Sequence, residues 1–365
     1  MERLILQSSI GFYSLLQDVL EQQDQEWIAR EGRFRPGGRI SLDDLGDDIW
    51  VEQFRFRRHE IYLLSDILDL PPVIVCSQSR VKEDSASALC MLLCRLVHVS
   101  RLVDVEMQFG WERSRFSHHS DNSFINLEPL EAPLALDPHR LTPEKLTYFA
   151  TVMQQRGAPL DCRLVFNGWK RIHCLKYHSL ITPDGIVIHI YGPVEGRRHD
   201  ETVYQQSGLS ALLEKHFVKP DGSPLFIYGD PAYTVAGRVL AGYKGAALSP
   251  EQIQFNTLMS RCREPVEWSF KEVVQQFPFL DFSRNHKVLL SPCGLWYLVA
   301  ILLGNAHTIL HHPQIPQYFQ CPPPTLEEYF TGGPVDDAEL DAWCLDSPWV
   351  QRDEQQDDTD SDSDV

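Results

Sequence analysis

The stretch "LKYHSLITPDGIVIHIYGPV", residues 175–194, limits the fold more than any other part of this chain. Two runs rich in β-branched and aromatic residues flank Pro183-Asp184-Gly185. Proline presets φ and glycine accepts a positive one, so a hairpin turn is expected there. The chain beyond the hairpin alternates in kind. "HDETVYQQSGLSALLEKHF" reads as helix and "PLFIYGD" as a short buried strand. "SPEQIQFNTLMSRCREPVEWSFKEVVQQFPFL" reads as a long helical region with Pro265 inside it. A hairpin followed by helix, strand and helix predicts an α/β domain. "GLWYLVAILLGNAHTILHH" is apolar on nearly every side, but Gly304, Asn305 and His307 interrupt it, which predicts a core helix and not a membrane span.

Upstream the pattern is helical. Residues 1–30 read as an amphipathic helix, with Leu4, Ile5, Phe12, Leu15, Leu16, Val19 and Leu20 on one side. "RFRPGGRISLDDLGDD" reads as a loop. "EQFRFRRHEIYLLSDILDL" is a helix stopped by Pro71-Pro72, and "DSASALCMLLCRLVHV" starts from Asp84 or Ser85 as its cap. A short helix, a turn at Phe109-Gly110 and a polar helix from near Glu112 or Ser114 are the parts of a helix-turn-helix, and equally of a plain three-helix packing unit. "LTPEKLTYFATVMQQRG" has Thr142-Pro143 at its start and Gly157 at its end, and leads into the α/β region. The expected organisation is an N-terminal helix and loop over 1–51, a helix-turn-helix-like section over 52–135, the α/β domain over 140–331, and an acidic tail over 332–365.

At 365 residues the chain exceeds the usual size of one hydrophobic core, so two domains, or one with a helical appendage, are expected. The net charge is −18, and "DEQQDDTDSDSDV" supplies a concentrated share of it. Residues 352–365 are expected to be disordered. Thr359, Ser361 and Ser363 there are candidate phosphorylation sites, although most such tails only solubilise. The less acidic remainder argues against a whole-surface nucleic-acid binder and leaves room for a local basic groove. The nine cysteines form no close Cys-x-x-Cys pair, and most sit in apolar runs. Free thiols in a reducing, intracellular setting are therefore expected, without a zinc site. "MERLILQSSIGFYSLLQDVLEQQ" is too polar for a signal peptide.

Two carboxylates stand out. Asp230 ends the apolar run "LFIYG" before Pro231, where it could reach a metal or simply form a turn. Glu267 lies in "REPVEWSFKEVV", with Val266, Phe270 and Val273 or Val274 at helical spacing toward the core. Arg263, four residues earlier, could pair with Glu267 or grip a phosphate. Carboxylates on separate elements suggest a two-metal site, in which Mg²⁺ or Mn²⁺ activates an attacking oxygen and steadies the leaving one in phosphodiester chemistry.

"YHSLITPDGIVIHIYGPVEGRRHD", "FIYGDPAY", "LSPEQIQFNTLMSRCREPVEWSF", "FPFLDF", "NHKVLL" and "PPPTLEEYF" together resemble the DDE superfamily endonuclease domain of Harbinger-type transposases, over about residues 50–331. The resemblance implies an RNase H-like fold behind a helical region that carries a helix-turn-helix. Asp230 and Glu267 would be the second and third acids of the triad, catalytic and metal-ligating. It implies DNA as substrate, a divalent metal (Mg²⁺ or Mn²⁺), a separate DNA-binding partner protein and no membrane. The nucleus is the expected location, otherwise the cytoplasm.

The first acid departs from the family pattern. After "GAPLDC" and "RLV" the chain passes straight to "FNGWKRIHCLK", without the expected central strand ending in Asp-Gly-Thr. "CRLVF" could slip into that place but offers only five residues. Three readings are open: a transposase-derived protein with impaired cleavage, an active nuclease in which Asp161 or Asp200 replaces the missing ligand, or a non-catalytic DNA-binding or scaffold protein. Arg113 and Arg115 on the polar helix, and Lys170, Arg171 and Lys176, are the candidate DNA contacts; a solvated face explains them as readily.

Overall fold

The computed structural model describes residues 41–75, 82–99, 102–111, 134, 136, 140–157, 162–165, 175–195, 198–229, 237–281 and 293–331. The amphipathic helix expected over 1–30, the polar helix from Glu112 and the acidic tail lie outside the described residues. Two compact units emerge: Met1–Leu127 with Val273–Ile301, and Glu128–Glu272 with Leu302–Val365.

The first unit contains α1 (Asp47–Phe54), α2 (Arg58–Ile67), α3 (Ser85–Val97) and α4 (Leu102–Phe109), with a small antiparallel pair, β1 (Val73–Val75) and β2 (Lys82–Asp84). Asp84 caps α3 as expected, its carboxylate accepting from Ser87 N–H at 2.9 Å. Nearly all of α3 is buried. Burial pushes the Cys94 thiol up to about 12 and Cys90 upward as well, so both behave as apolar groups. Trp50, Phe54, Phe109 and Trp111 cluster beside it, the last two stacked at 4.6 Å. Gly110 takes φ 66° after α4, which makes the anticipated turn. From the later chain segment, Phe279 lies under the Arg95 guanidinium at 4.4 Å.

One expectation fails here. The helix read continuously through "EQFRFRRHEIYLLSDILDL" is two helices, and the first begins in the supposed loop. Arg55 is left-handed at φ 66°. Its own guanidinium pins the bend, donating to Glu52 O at 2.9 Å and Gln276 O at 3.0 Å. Glu60 then reaches back to accept from Arg57 N–H at 2.7 Å, which starts α2 afresh.

In the second unit, α5 (Pro143–Gln155) precedes a five-stranded sheet of order β5-β4-β3-β6-β7. The strands are β3 (Cys162–Val165), β4 (Leu175–Ile181), β5 (Val187–Glu195), β6 (Phe226–Tyr228) and β7 (Val239–Leu240). β3 is parallel to β6, and β6 to β7. β4 is antiparallel to both its neighbours, so it alone runs against the rest. Between β5 and β6 lie α6 (Asp200–Gln206) and α7 (Leu209–His216), where a single helix was expected; Gly208 at φ 69° separates them. After β7 come α8 (Pro250–Gln276), α9 (Cys293–His311), α10 (Gln314–Phe319) and α11 (Leu326–Thr331).

The hairpin turn forms as its sequence requires. Thr182 N–H donates to Ile186 O at 3.0 Å, and Gly185 N–H to Thr182 O at 2.9 Å. Gly185 has φ 81°, and a Cβ there would meet Pro316 Cδ at 2.9 Å. Asp184 is buried and accepts from the Thr182 hydroxyl and from Ile186 N–H. Burial raises its pKa, against the pull of the nearby Lys145 ammonium. Asn305 on α9 pairs with both backbone groups of Val187, at 3.0 and 2.9 Å, and donates to the Tyr329 hydroxyl at 2.7 Å. The polar interruption in the apolar run is thus an anchor for β5. α9 is long and apolar enough to cross a membrane, but 72% of the qualifying window is buried, which suits a core helix.

The centre of the sheet was expected to lack its strand. It is held instead by Cys162–Val165, the short run noted in the sequence, with Val165 opposite Ile181 on one side and Tyr228 on the other. Flanking strands that form independently can order four residues between them, because each unpaired backbone group there would otherwise go unsatisfied.

Candidate functional site

α8 starts at a reciprocal cap. Ser249 Oγ accepts from Gln252 N–H at 3.3 Å, and Gln252 Oε1 accepts from Ser249 N–H at 2.9 Å. Pro250 occupies the first helical position, where its missing donor costs nothing. Met259, Cys262, Val266 and Val273 recur at helical spacing and are buried. The other face carries Asn256, Thr257, Ser260, Arg263, Glu264 and Glu267, which with Leu248 and Ile253 line an open groove of about 630 Å³.

Glu267 therefore does not turn inward among its apolar neighbours. Its side chain is 55% exposed, and Oε1 stands 3.6 Å from Arg263 Nη1, the i,i+4 ion pair that the sequence allowed. The Arg263 side chain is only 18% exposed, so it is Glu267 that stays accessible, a carboxylate on a rigid helix. Glu272, five residues on, is turned about 140° round the helix. Burial raises its pKa to about 7, and its direction separates it from the groove.

Asp200 opens α6, and its Oδ1 accepts from Lys176 Nζ at 2.6 Å. The same ammonium donates to Arg198 O at 2.8 Å. Lys176 and Asp200 are thus committed to each other within the fold. Asp230, Asp161, Arg113, Arg115, Lys170 and Arg171 lie outside the described residues. Among the described residues no three His, Cys, Asp or Glu side chains converge as a metal site. Glu267 by itself does not make one.

The groove was not legible in the sequence. Tyr243 and Leu248 come to α8 from a loop whose only signal was Gly-rich composition, and it is the fold that brings them there.

Residues 151–305 match the family model described as DDE superfamily endonuclease. The matched stretch runs from within α5, through the sheet, to Asn305 on α9. Such domains act on DNA and generally use divalent metal ions. No curated protein and no solved structure matches the chain.

Proposed function

We propose that the 140–331 region is an RNase H-like nuclease domain derived from a Harbinger-type transposase, with DNA as its substrate and with strand cleavage impaired. The observation that carries this reading is the sheet centre. β3 occupies the place where the resemblance puts the strand of the first acid, yet the residues after Val165 are Phe166, Asn167 and Gly168, with no carboxylate. Glu267 on α8 and Asp230 just after β6 are the proposed third and second acids, and the proposed ligands of Mg²⁺ or Mn²⁺. When bound, such an ion would activate the attacking oxygen and stabilise the leaving one.

Neither substitute ligand fits well. Asp161 comes before β3 in the chain, whereas the family's first acid follows its strand. Asp200 would have to give up Lys176. The same missing carboxylate favours a second reading, a domesticated DNA-binding or scaffold protein acting with a separate DNA-binding partner, in the nucleus. Arg113, Arg115, Lys170 and Arg171 are the proposed further DNA contacts.

The test is nicking of supercoiled plasmid by the full chain in Mn²⁺, beside Asp230→Ala and Glu267→Gln. No detectable cleavage by the native chain is expected. Robust cutting that disappears in both variants would mean that another carboxylate completes the site, and the impaired reading would fall.

A further inference from the structure

We infer that the groove along α8, together with the loop before it, seats an unpaired nucleic-acid strand, with Tyr243 as the stacking platform and Lys244 and Arg261 meeting its phosphates. The inference rests on the nuclease reading for its direction, toward Glu267.

The built feature is Tyr243. Its side chain is large and apolar, yet the residue is 50% exposed. It is also held in place. Tyr243 N–H donates to Asn256 Oδ1 at 2.8 Å, and Asn256 Nδ2 donates back to Tyr243 O at 3.0 Å. The ring sits edge-on to Phe255 at 5.2 Å, which fixes its orientation. A Cβ on Gly242 would meet Asn256 Oδ1 at 3.0 Å and Met259 Cε at 3.2 Å, so glycine lets the loop lie close against these two α8 side chains. An exposed ring with a fixed backbone on both sides offers a stacking surface without the usual cost in side-chain freedom.

The groove beside it has matching chemistry. Ile253 is 53% exposed and adds an apolar floor next to the Asn256 end. Ser260 and Arg261 are exposed along the wall, and Lys244 is exposed on the loop. From Ile253 to Glu267 the helix face extends about 21 Å at 1.5 Å per residue. That is the reach of about four to six nucleotides, within the site sizes of strand-binding grooves. Glu264 is the one carboxylate on the wall besides Glu267. A duplex keeps its bases stacked on one another and has no use for a side-on tyrosine; an unpaired strand does.

The experiment is fluorescence anisotropy with a labelled 20-nucleotide single-stranded DNA and the full chain, in EDTA so that no metal-dependent step contributes. Tyr243→Ala should weaken binding roughly tenfold, whereas Tyr243→Phe, which keeps the ring, should bind as the native chain does. Arg261→Glu should weaken binding and flatten the salt dependence by about 0.7 or more in the log–log slope. Tyr62→Ala, on an exposed tyrosine of the first unit, should change nothing. An RNA strand of the same sequence reports whether the sugar matters, and the matching duplex should bind more weakly. Native affinity in both Tyr243→Ala and Arg261→Glu overturns the inference, as does a lack of strand binding in EDTA or a preference for duplex. Glu267→Gln separates this from the nuclease reading. If it keeps strand binding while Mn²⁺ affects neither it nor the native chain, the seat stands and the nuclease reading falls.

Discussion

The β4–β5 hairpin and β3 are neighbours in one sheet, but they are held by opposite means. The hairpin pairs from Leu175 with Glu195 down to Ile181 with Val187, and its turn closes on its own hydrogen bonds. Asn305 and the buried Asp184 then tie it to the helices and the turn. β3 has four residues, and its register against β6 shifts between Cys162 and Val165. Its order is borrowed from its neighbours. A region that specifies itself locally can be read in a sequence, and it also tolerates the loss of length beside it. That is how a run of only four residues can hold the centre of the sheet.

The comparison breaks most visibly at Asn305. Replacing it with leucine keeps the volume but strands the N–H and C=O of Val187 and takes away a donor to Tyr329. Each orphaned buried group costs about 1–3 kcal/mol, so Asn305→Leu should destabilise by about 3–5 kcal/mol. Urea unfolding measures the loss, and hydrogen exchange at the Val187 amide locates it. A loss below about 1 kcal/mol would mean that the hairpin needs no anchor.

A second test uses acid. His178 and His189 lie on the paired strands with ring centroids 6.0 Å apart, and both are buried. Burial, with the neighbouring His189 for His178, lowers them to about 2 and about 4. A histidine held below its unfolded value of about 6.5 favours the fold while neutral. Its contribution is complete above pH 6.5 and is lost as pH falls toward the folded value. For His189 alone that loss is about 3 kcal/mol between pH 6.5 and 4. Urea midpoints across this range should fall for the native chain and flatten in His189→Leu. An unchanged slope would place the acid sensitivity outside the hairpin.

The same contrast governs what the sequence disclosed. Caps and turns with a local chemical cause appear where expected: Asp84 before α3, Thr142 before α5, and Pro183-Asp184-Gly185. The break at Arg55 was invisible because a long-range bond to Gln276 O helps hold a non-glycine residue left-handed. β7 has two residues and exists only through β6. At the site, helical spacing located Glu267, but its exposure depends on how α8 packs. Tyr243 is tied to α8 through Asn256, thirteen residues away, a contact that no periodicity encodes.

The smallest change tests the centre itself. Val165 is in register with Tyr228 on the parallel strand β6. Asp230 comes two residues after Tyr228, and Asn167 comes two residues after Val165. Asn167→Asp therefore adds a carboxylate as many residues beyond β3 as Asp230 stands beyond β6 in the chain, with almost no change in side-chain shape. If the impaired reading is right, the chain lacks charge at that position and not a fold. Supplying one ligand to a site of this kind is worth on the order of 10–100-fold in metal affinity or rate, judged from what even supporting residues contribute, or about 1.4–2.7 kcal/mol. Asn167→Asp should then nick plasmid DNA in Mn²⁺ at least tenfold faster than the native chain, and Glu267→Gln in the same background should remove the gain. Equal silence in both chains, with Mn²⁺ raising the melting temperature of neither, would mean that the four-residue centre cannot present a ligand at all. The hairpin would then have preserved a sheet but not a catalytic site.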